Sequence, residues 1–260
     1  MKTLSRIQQL FQNGKAYTAY LTAGDGGTQS TLDAALALIN GGVNMLEIGV
    51  PFSDPIADGP IIQRASQRSL AKGTCLADVL WITKQIRQRN DIPIILFSYL
   101  NPILSVLQSD FLPVAKEAGI DGLLLVDCPL EESDSIRQQC IKNDIALIYV
   151  IAPSTSLARI KKIDAYAQGF LYYACQKGTT GLRNELPEDF QGKIKAVKSM
   201  VDLPVIVGFG ISNQETICRV LKYADGVVVG SLFVKALEEG ASPSTLTILA
   251  ENLYPKPVHN

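Results

Sequence analysis

The sequence predicts an α/β protein, a closed barrel of eight parallel strands with helices packed around it. Eight short apolar runs rich in Val, Ile, Leu, Tyr and Phe alternate with amphipathic stretches, which is typical of β–α units around a parallel sheet. The runs are almost continuously apolar, as in strands that are buried on both faces. Eight such units within 260 residues fit a (β/α)8 TIM barrel better than an open, doubly wound sheet.

The predicted strands, in chain order, are Tyr17–Thr22, Met45–Gly49, Ile92–Ser98, Gly122–Asp127, Ile145–Ile151, Gly169–Ala174, Leu203–Gly208 and Gly226–Gly230. The intervening segments place apolar residues at helical spacing, for example Val79 and Ile86 or Ile194 and Val197. Gly119 is suited to end a helix in the left-handed conformation. Before the first strand, Met1–Asn13 predicts an additional N-terminal helix, because its apolar residues also recur at helical spacing.

Composition excludes several classes of function. The chain is 47% hydrophobic and 19% charged, and without linkers or low-complexity runs it is expected to form a single domain over residues 1–260. Its net charge of −1 is dispersed, which argues against a nucleic-acid partner. It contains neither a signal peptide nor an apolar run of about 18 residues, so we expect a cytoplasmic protein that does not enter a membrane.

The five cysteines are widely spaced and form no C-x-x-C pair, which argues against a zinc or redox site. Cys128 and Cys175 fall near predicted strand ends, where a nucleophile could lie. However, the only histidine is His259, and nothing nearby in sequence would activate a thiolate. We interpret both as small buried residues, and we expect no metal.

In such barrels the chemistry lies at the carboxyl ends of the strands, where the loops converge. Glu47 belongs to an apolar strand, in which an unpaired carboxylate is costly to bury. Burial would raise its pKa toward neutrality, as a general acid or base requires. A solvent-facing or ion-paired glutamate is the alternative.

The loop Pro51–Pro60 contains three prolines and two aspartates, so it is stiff and polar. Asp58 is the candidate for a second carboxylate across from Glu47, whereas Asp54 can brace the turn. From loop composition alone, either aspartate could simply be a turn former.

Phosphate is the substrate group that the glycine-rich turns after strands seven and eight indicate. Gly208–Asn213 and Gly230–Ser231 would allow the backbone to approach an anion closely, and Ser231 stands at a helix start. Each glycine pair alone is weak evidence, because barrel turns use glycine routinely.

Several segments resemble the tryptophan synthase alpha chains. The most specific is Leu46–Gln63, which reads LEIGVPFSDPIADGPIIQ. The resemblance extends over nearly the whole chain through Tyr20–Asp25, Asp127–Ser133, Gly178–Gly181, Gly208–Ser212 and Gly230–Ser231.

The resemblance implies cleavage of indole-3-glycerol phosphate to indole and glyceraldehyde 3-phosphate, with Glu47 as the catalytic acid/base and Asp58 as the partner of the indole N–H. It implies a substrate pocket formed by Tyr20, Leu96, Tyr99, Leu124 and Tyr172, with Thr180 contacting Asp58, and phosphate binding by Gly181, Phe209, Gly210, Gly230 and Ser231. Tyr20 stands where the family usually has phenylalanine.

The resemblance also implies no cofactor for this chain, because pyridoxal phosphate belongs to a beta subunit. That partner would complete an α2β2 heterotetramer and dock through Pro51–Pro60, Asn101–Pro102 and Pro129–Leu130. One departure concerns this coupling: Cys175–Gln176–Lys177 stands where the family commonly has Ser-Arg-Ser.

Two alternatives remain. One is a non-catalytic activator of a beta subunit, although such a chain would be free to lose Glu47 and Asp58. The other is a different phosphate-binding barrel enzyme, such as an indole-glycerol-phosphate synthase or an isomerase, whose motifs differ from Pro51–Pro60.

Overall fold

The computed structural model describes residues 5–107, 110–175, 186–208 and 210–254. Within them, eight parallel strands form a closed barrel in chain order, and the first strand pairs with the last. The strands are β1 (Ala16–Thr22), β2 (Met45–Gly49), β3 (Ile94–Ser98), β4 (Gly122–Leu125), β5 (Ala146–Ile151), β6 (Leu171–Ala174), β7 (Val205–Gly208) and β8 (Gly226–Val229). The predicted fold class is confirmed, and the strand bounds differ from the predicted ones by at most two residues.

Helices surround the barrel. They are α1 (Arg6–Asn13), α2 (Thr28–Asn40), α3 (Pro60–Ala71), α4 (Leu76–Arg87), α5 (Leu100–Leu104), α6 (Phe111–Ala118), α7 (Asp134–Lys142), α8 (Leu157–Asp164), α9 (Phe190–Lys198), α10 (Gln214–Leu221), α11 (Ser231–Glu238) and α12 (Pro243–Leu253), with a short 3-10 helix at Leu130–Glu132. As predicted, α4 buries Val79 and Ile86, and α6 ends at Gly119 with φ 101°.

The apolar residues divide into two cores because successive side chains of a strand point to opposite faces. In β2, Leu46 and Ile48 belong to the layer between strands and helices. Met45 belongs to the barrel interior, and Glu47 therefore also points inward. This alternation decides which side chain of each strand can reach the mouth of the barrel.

The predicted N-terminal helix is present as α1 and lies against the interior cluster. Ser5 and Gln8 form a capping box at its start, and Ile7 is buried with interior residues such as Phe170. Arg6 of α1 donates to Asp121, the residue that precedes β4. Across the described ranges, no helix is long and apolar enough to cross a membrane.

Candidate active site

A cavity opens at the carboxyl end of the barrel, and its empty space, open solvent included, is about 430 Å³. The described residues that line it come from β1, β2, β3, β6 and β8 and from the segments after β2, β7 and β8: Tyr20, Glu47, Asp58, Ile62, Phe97, Tyr172, Gly210, Ile211, Val228, Gly230 and Ser231.

Glu47 lies in the wall of this cavity and is fully buried. Neither of its carboxyl oxygens has a hydrogen-bond partner among the described residues. Burial in these apolar surroundings raises the pKa of Glu47 to about 8. The side chain is therefore mostly protonated at pH 7 and can donate a proton into the cavity.

Asp58 is also buried and lines the same cavity. Tyr99 donates a hydrogen bond of 3.0 Å to its Oδ2, whereas Oδ1 has no partner within the described ranges. Burial raises the pKa of Asp58 to about 6, and the hydrogen bond from Tyr99 acts in the opposite direction. At pH 7 Asp58 is therefore mostly ionised while Glu47 keeps its proton, a separation that is typical of acid/base pairs.

Tyr99, which was expected in the substrate pocket, is not among the described residues that line the cavity, and it instead holds the loop Pro51–Pro60. Its hydroxyl donates to Asp58 and accepts a hydrogen bond of 3.0 Å from the backbone N–H of Ala57. From the other side of the loop, the side-chain amide of Gln63 in α3 donates a hydrogen bond of 2.8 Å to the backbone carbonyl of Asp58. The bond from Gln63 ties the backbone of Asp58 to α3, and the bond from Tyr99, the residue after β3, restrains its carboxylate.

Two tyrosines form aromatic walls above strand glycines. The Tyr20 ring packs edge-on against Phe97, with ring centroids 5.1 Å apart. A Cβ on Gly49 would lie 2.2 Å from the Tyr20 hydroxyl, and a Cβ on Gly208 would lie 1.9 Å from that of Tyr172. The absence of side chains at these strand ends therefore allows both rings to occupy their positions.

Leu96 does not line the cavity, and the expectation that it would is wrong. It packs in the outer layer with the helices, whereas its neighbour Phe97 points inward and lines the cavity. β3 is apolar at every position from Ile94 to Phe97, so the sequence carries no signal for its inward face. Leu124 does point inward, but it is not among the described residues that line the cavity.

Sequence reasoning also missed Ile62, Ile211 and Val228, which complete the apolar part of the lining. For Val228 the available signal was strand alternation, because it lies two residues before Gly230. Ile62 lies in the first turn of α3, close in sequence to Asp58, which lies two residues before that helix.

The other end of the cavity is formed by backbone. Gly230 precedes α11, and Ser231 is the first residue of that helix. Gly210 has φ 78°, a left-handed conformation that favours glycine. Among the described lining residues there is no lysine or arginine, so an anion here would meet peptide N–H groups and a helix N-terminus. Thr180, Gly181 and Phe209, together with Gln176 and Lys177, lie outside the described residues.

Comparison with known proteins decides the family. A family model described as tryptophan synthase alpha chain matches residues 7–256. The chain belongs to the tryptophan synthase alpha chain family. An alpha chain from Coxiella burnetii is 52% identical over 257 residues, which cover 98% of this chain and all of the relative.

Solved structures of tryptophan synthases have the same fold as this member of the family. Tryptophan synthase from Mycobacterium tuberculosis superposes with a TM-score of 0.89 and 30% identity, covering 96% of this chain and 97% of the other. The tryptophan synthase α2β2 complex from Pyrococcus furiosus gives a TM-score of 0.84 and 38% identity, covering 92% and 96%. The likeness therefore extends over almost the whole barrel.

Proposed function

We propose that Glu47 and Asp58 carry out the lyase reaction of the alpha chain family, the cleavage of indole-3-glycerol phosphate into indole and glyceraldehyde 3-phosphate. The observation that carries the proposal is a pair of buried carboxyl groups in one cavity, whose pKa values of about 8 and about 6 place one on each side of neutrality. Proton transfer by these groups needs no cofactor bound by this chain.

The protonated carboxyl of Glu47 delivers its proton to indole C3. Protonation of C3 makes the ring an acceptor for the electron pair of the bond between C3 and the glycerol side chain. That bond then breaks while the hydroxyl on the adjacent side-chain carbon loses its proton and becomes the aldehyde. The Glu47 carboxylate formed in the first step is the base that takes this proton, so the side chain ends the cycle in its starting state.

The ionised carboxylate of Asp58 accepts a hydrogen bond from the indole N1–H. Positive charge develops at N1 as C3 is protonated, so the attraction is stronger in the transition state than in the bound substrate. The hydrogen bond from Tyr99 lowers the pKa of Asp58, and Oδ1, which has no partner among the described residues, can accept the bond from N1–H.

The indole ring occupies the space between the aromatic walls, in contact with Tyr20, Phe97 and Tyr172. The phosphate binds at the opposite end, on the peptide N–H groups near Gly210 and at the start of α11, where the helix dipole favours an anion. Ser231 adds a hydroxyl at this end. We assign phosphate contacts to Gly181 and Phe209, and a contact between Thr180 and Asp58, on the resemblance alone.

Indole release from indole-3-glycerol phosphate by the purified chain tests the proposal directly. Glu47→Gln removes the transferable proton and is expected to abolish release, whereas Glu117→Gln, at an exposed position of α6, serves as the matched control. A non-catalytic activator would release no indole at all, and another phosphate-binding barrel enzyme would form a different product.

We propose further that a beta subunit covers the mouth, giving an α2β2 assembly like that of the Pyrococcus furiosus complex. Ile56 of the loop after β2 is 78% exposed, so this loop, which also carries Asp58, offers a large apolar side chain to a partner. A cover of this kind would retain indole, which is small and apolar. If titration with a beta subunit changes indole release in the parent but not in Ile56→Asp, this docking surface is supported, and equal responses would contradict it.

Two broader expectations are retained as proposals. The closure of β8 onto β1 supports one domain over residues 1–260, because the first and last strands depend on each other for backbone pairing. The five cysteines are free thiols, which supports a reducing compartment such as the cytoplasm.

A further inference from the structure

A cluster of charged side chains on the outside of the barrel connects the loop after β1 with α3 and α11, and both helices contribute residues to the cavity. Arg64 of α3 donates two hydrogen bonds of 2.7 Å to Glu238 at the end of α11. Arg68, one turn further along α3, donates a hydrogen bond of 2.6 Å to the same carboxylate. Arg68 also donates two bonds of 2.7 Å to Asp25 in the loop after β1. We refer to these four residues as the α3–α11 clamp.

The clamp is more than a set of isolated surface pairs. Exposed ion pairs contribute about 0–1 kcal/mol each. Here, however, two of the contacts are bidentate, and Arg68 and Glu238 each bind two partners. The Asp25 side chain is only 6% exposed, whereas those of Glu238 and Arg64 are 25% and 49% exposed, so solvent screens the pair of Arg68 with Asp25 less than the pairs with Glu238. Ser69 of α3 adds a hydrogen bond of 2.5 Å to the carbonyl of Ala23 in the same loop.

Both clamped helices begin at the cavity. Asp58 lies two residues before the start of α3, and Ile62 lies in its first turn. Ser231 is the first residue of α11, and Glu238 is the last. The two helices pack against each other and α11 packs on β1, so the relative position of α3 and α11 sets the distance from Asp58 to the phosphate end of the cavity.

A helix transmits a displacement along its axis because its backbone is hydrogen-bonded throughout. Glu238 is about 10 Å from Ser231 along α11 at the usual rise per residue. A change at Glu238 therefore leaves the cavity lining untouched and acts through the position of the helix start. Misplacement by about 1 Å can cost a large factor in binding or rate when two groups of one ligand must be satisfied together.

We propose that the α3–α11 clamp is a positioning device that sets the spacing between Asp58 and the N-terminus of α11, so that the site binds the indole and phosphate ends of one molecule together. The proposal rests on the proposed function, because it assumes that the two ends of the cavity receive these two groups. Arg64, Arg68 and Glu238 are positioning residues and touch no substrate.

The test compares a ligand that spans the cavity with ligands that occupy one end. Indole-3-propanol phosphate carries both groups on an uncleavable linker, indole carries one, and glycerol 3-phosphate carries the other. For Glu238→Gln we expect the Kd of the spanning ligand to rise by about tenfold, on the scale of lost effective concentration, while the Kd of each single-end ligand stays within about twofold. Calorimetry suits the spanning ligand, and NMR titration suits the weaker ones.

Glu239→Gln is the matched control, because it makes the same substitution one residue further on and, within the described part of the chain, breaks only the exposed ion pair of Glu239 with Lys235 of α11. It should leave all three Kd values unchanged. Arg64→Gln leaves Arg68 on both carboxylates and should give a smaller rise for the spanning ligand only. Thermal unfolding of each variant verifies that it is folded.

Equal weakening of all three ligands by Glu238→Gln would indicate a general loss of structure and overturn the proposal, as would unchanged binding of the spanning ligand. Failure of the parent chain to bind the spanning ligand at all would instead contradict the proposed function. The two failures are therefore distinguishable.

Discussion

The ionisation of the two cavity carboxyls predicts a bell-shaped dependence of kcat/KM on pH, and Tyr99 determines the position of its acidic limb. The productive form has Glu47 protonated and Asp58 ionised. With pKa values of about 8 and about 6, this form dominates near pH 7. It falls to about a tenth near pH 5, where Asp58 is protonated, and near pH 9, where Glu47 has lost its proton.

Tyr99→Phe tests the acidic limb. In the parent, the hydrogen bond of 3.0 Å from Tyr99 lowers the pKa of Asp58, and the substitution removes this bond. A hydrogen bond to a charged group contributes about 1.5–3 kcal/mol, so the pKa of Asp58 should rise by about one unit or more. For a one-unit rise, kcat/KM at pH 6 should fall about fivefold and at pH 9 should not change.

The assay is indole release at low substrate concentration between pH 5 and pH 10. The substrate phosphate also ionises near pH 6, but its pKa is the same for both enzymes, so a shift between parent and variant belongs to Asp58. Tyr17→Phe is the control, since Tyr17 is a buried tyrosine whose hydroxyl donates a hydrogen bond of 3.1 Å to the carbonyl of Ala250, away from the cavity. Acidic limbs that coincide in Tyr99→Phe and the parent would refute the role of Tyr99.

Three further predictions concern single residues. Glu47→Gln should lower kcat at least tenfold with KM little changed. In the parent, the free energy of unfolding should fall on the order of 3 kcal/mol between about pH 4.5 and pH 7, because Glu47 ionises in the unfolded chain but stays protonated in the fold. This fall should be absent in Glu47→Gln, and denaturant unfolding at several pH values measures it. Phe97→Ala should weaken indole binding in an NMR titration, whereas Leu96→Ala should cost about 2–5 kcal/mol of stability and leave indole affinity nearly unchanged; the reverse pattern would contradict the assignment of the inward face of β3. Gly49→Ala should displace the Tyr20 ring and weaken indole binding without affecting glycerol phosphate, and an equal loss for both ligands would show that the change is not local.

The order and type of the strands could be predicted from the sequence, because an apolar run between amphipathic segments is a local pattern. Glu47 was recognisable for a related reason: a carboxylate within an apolar strand is energetically costly wherever the strand lies. Pro51–Pro60 was recognisable as a stiff polar loop, and its resemblance to a known family indicated which of its aspartates matters.

The inward face of β3 was decided only by the barrel. Ile94, Leu96 and Phe97 are equally apolar, and strand pairing with β2 and β4 determines which of them points into the cavity. The hydrogen bond from Tyr99 to Asp58 and the contacts of Arg64 with Glu238 likewise join residues that are distant in sequence. Local patterns in the sequence indicate whether a segment is buried in the core or exposed to water. The contacts of a side chain depend instead on which segments the closed barrel brings together.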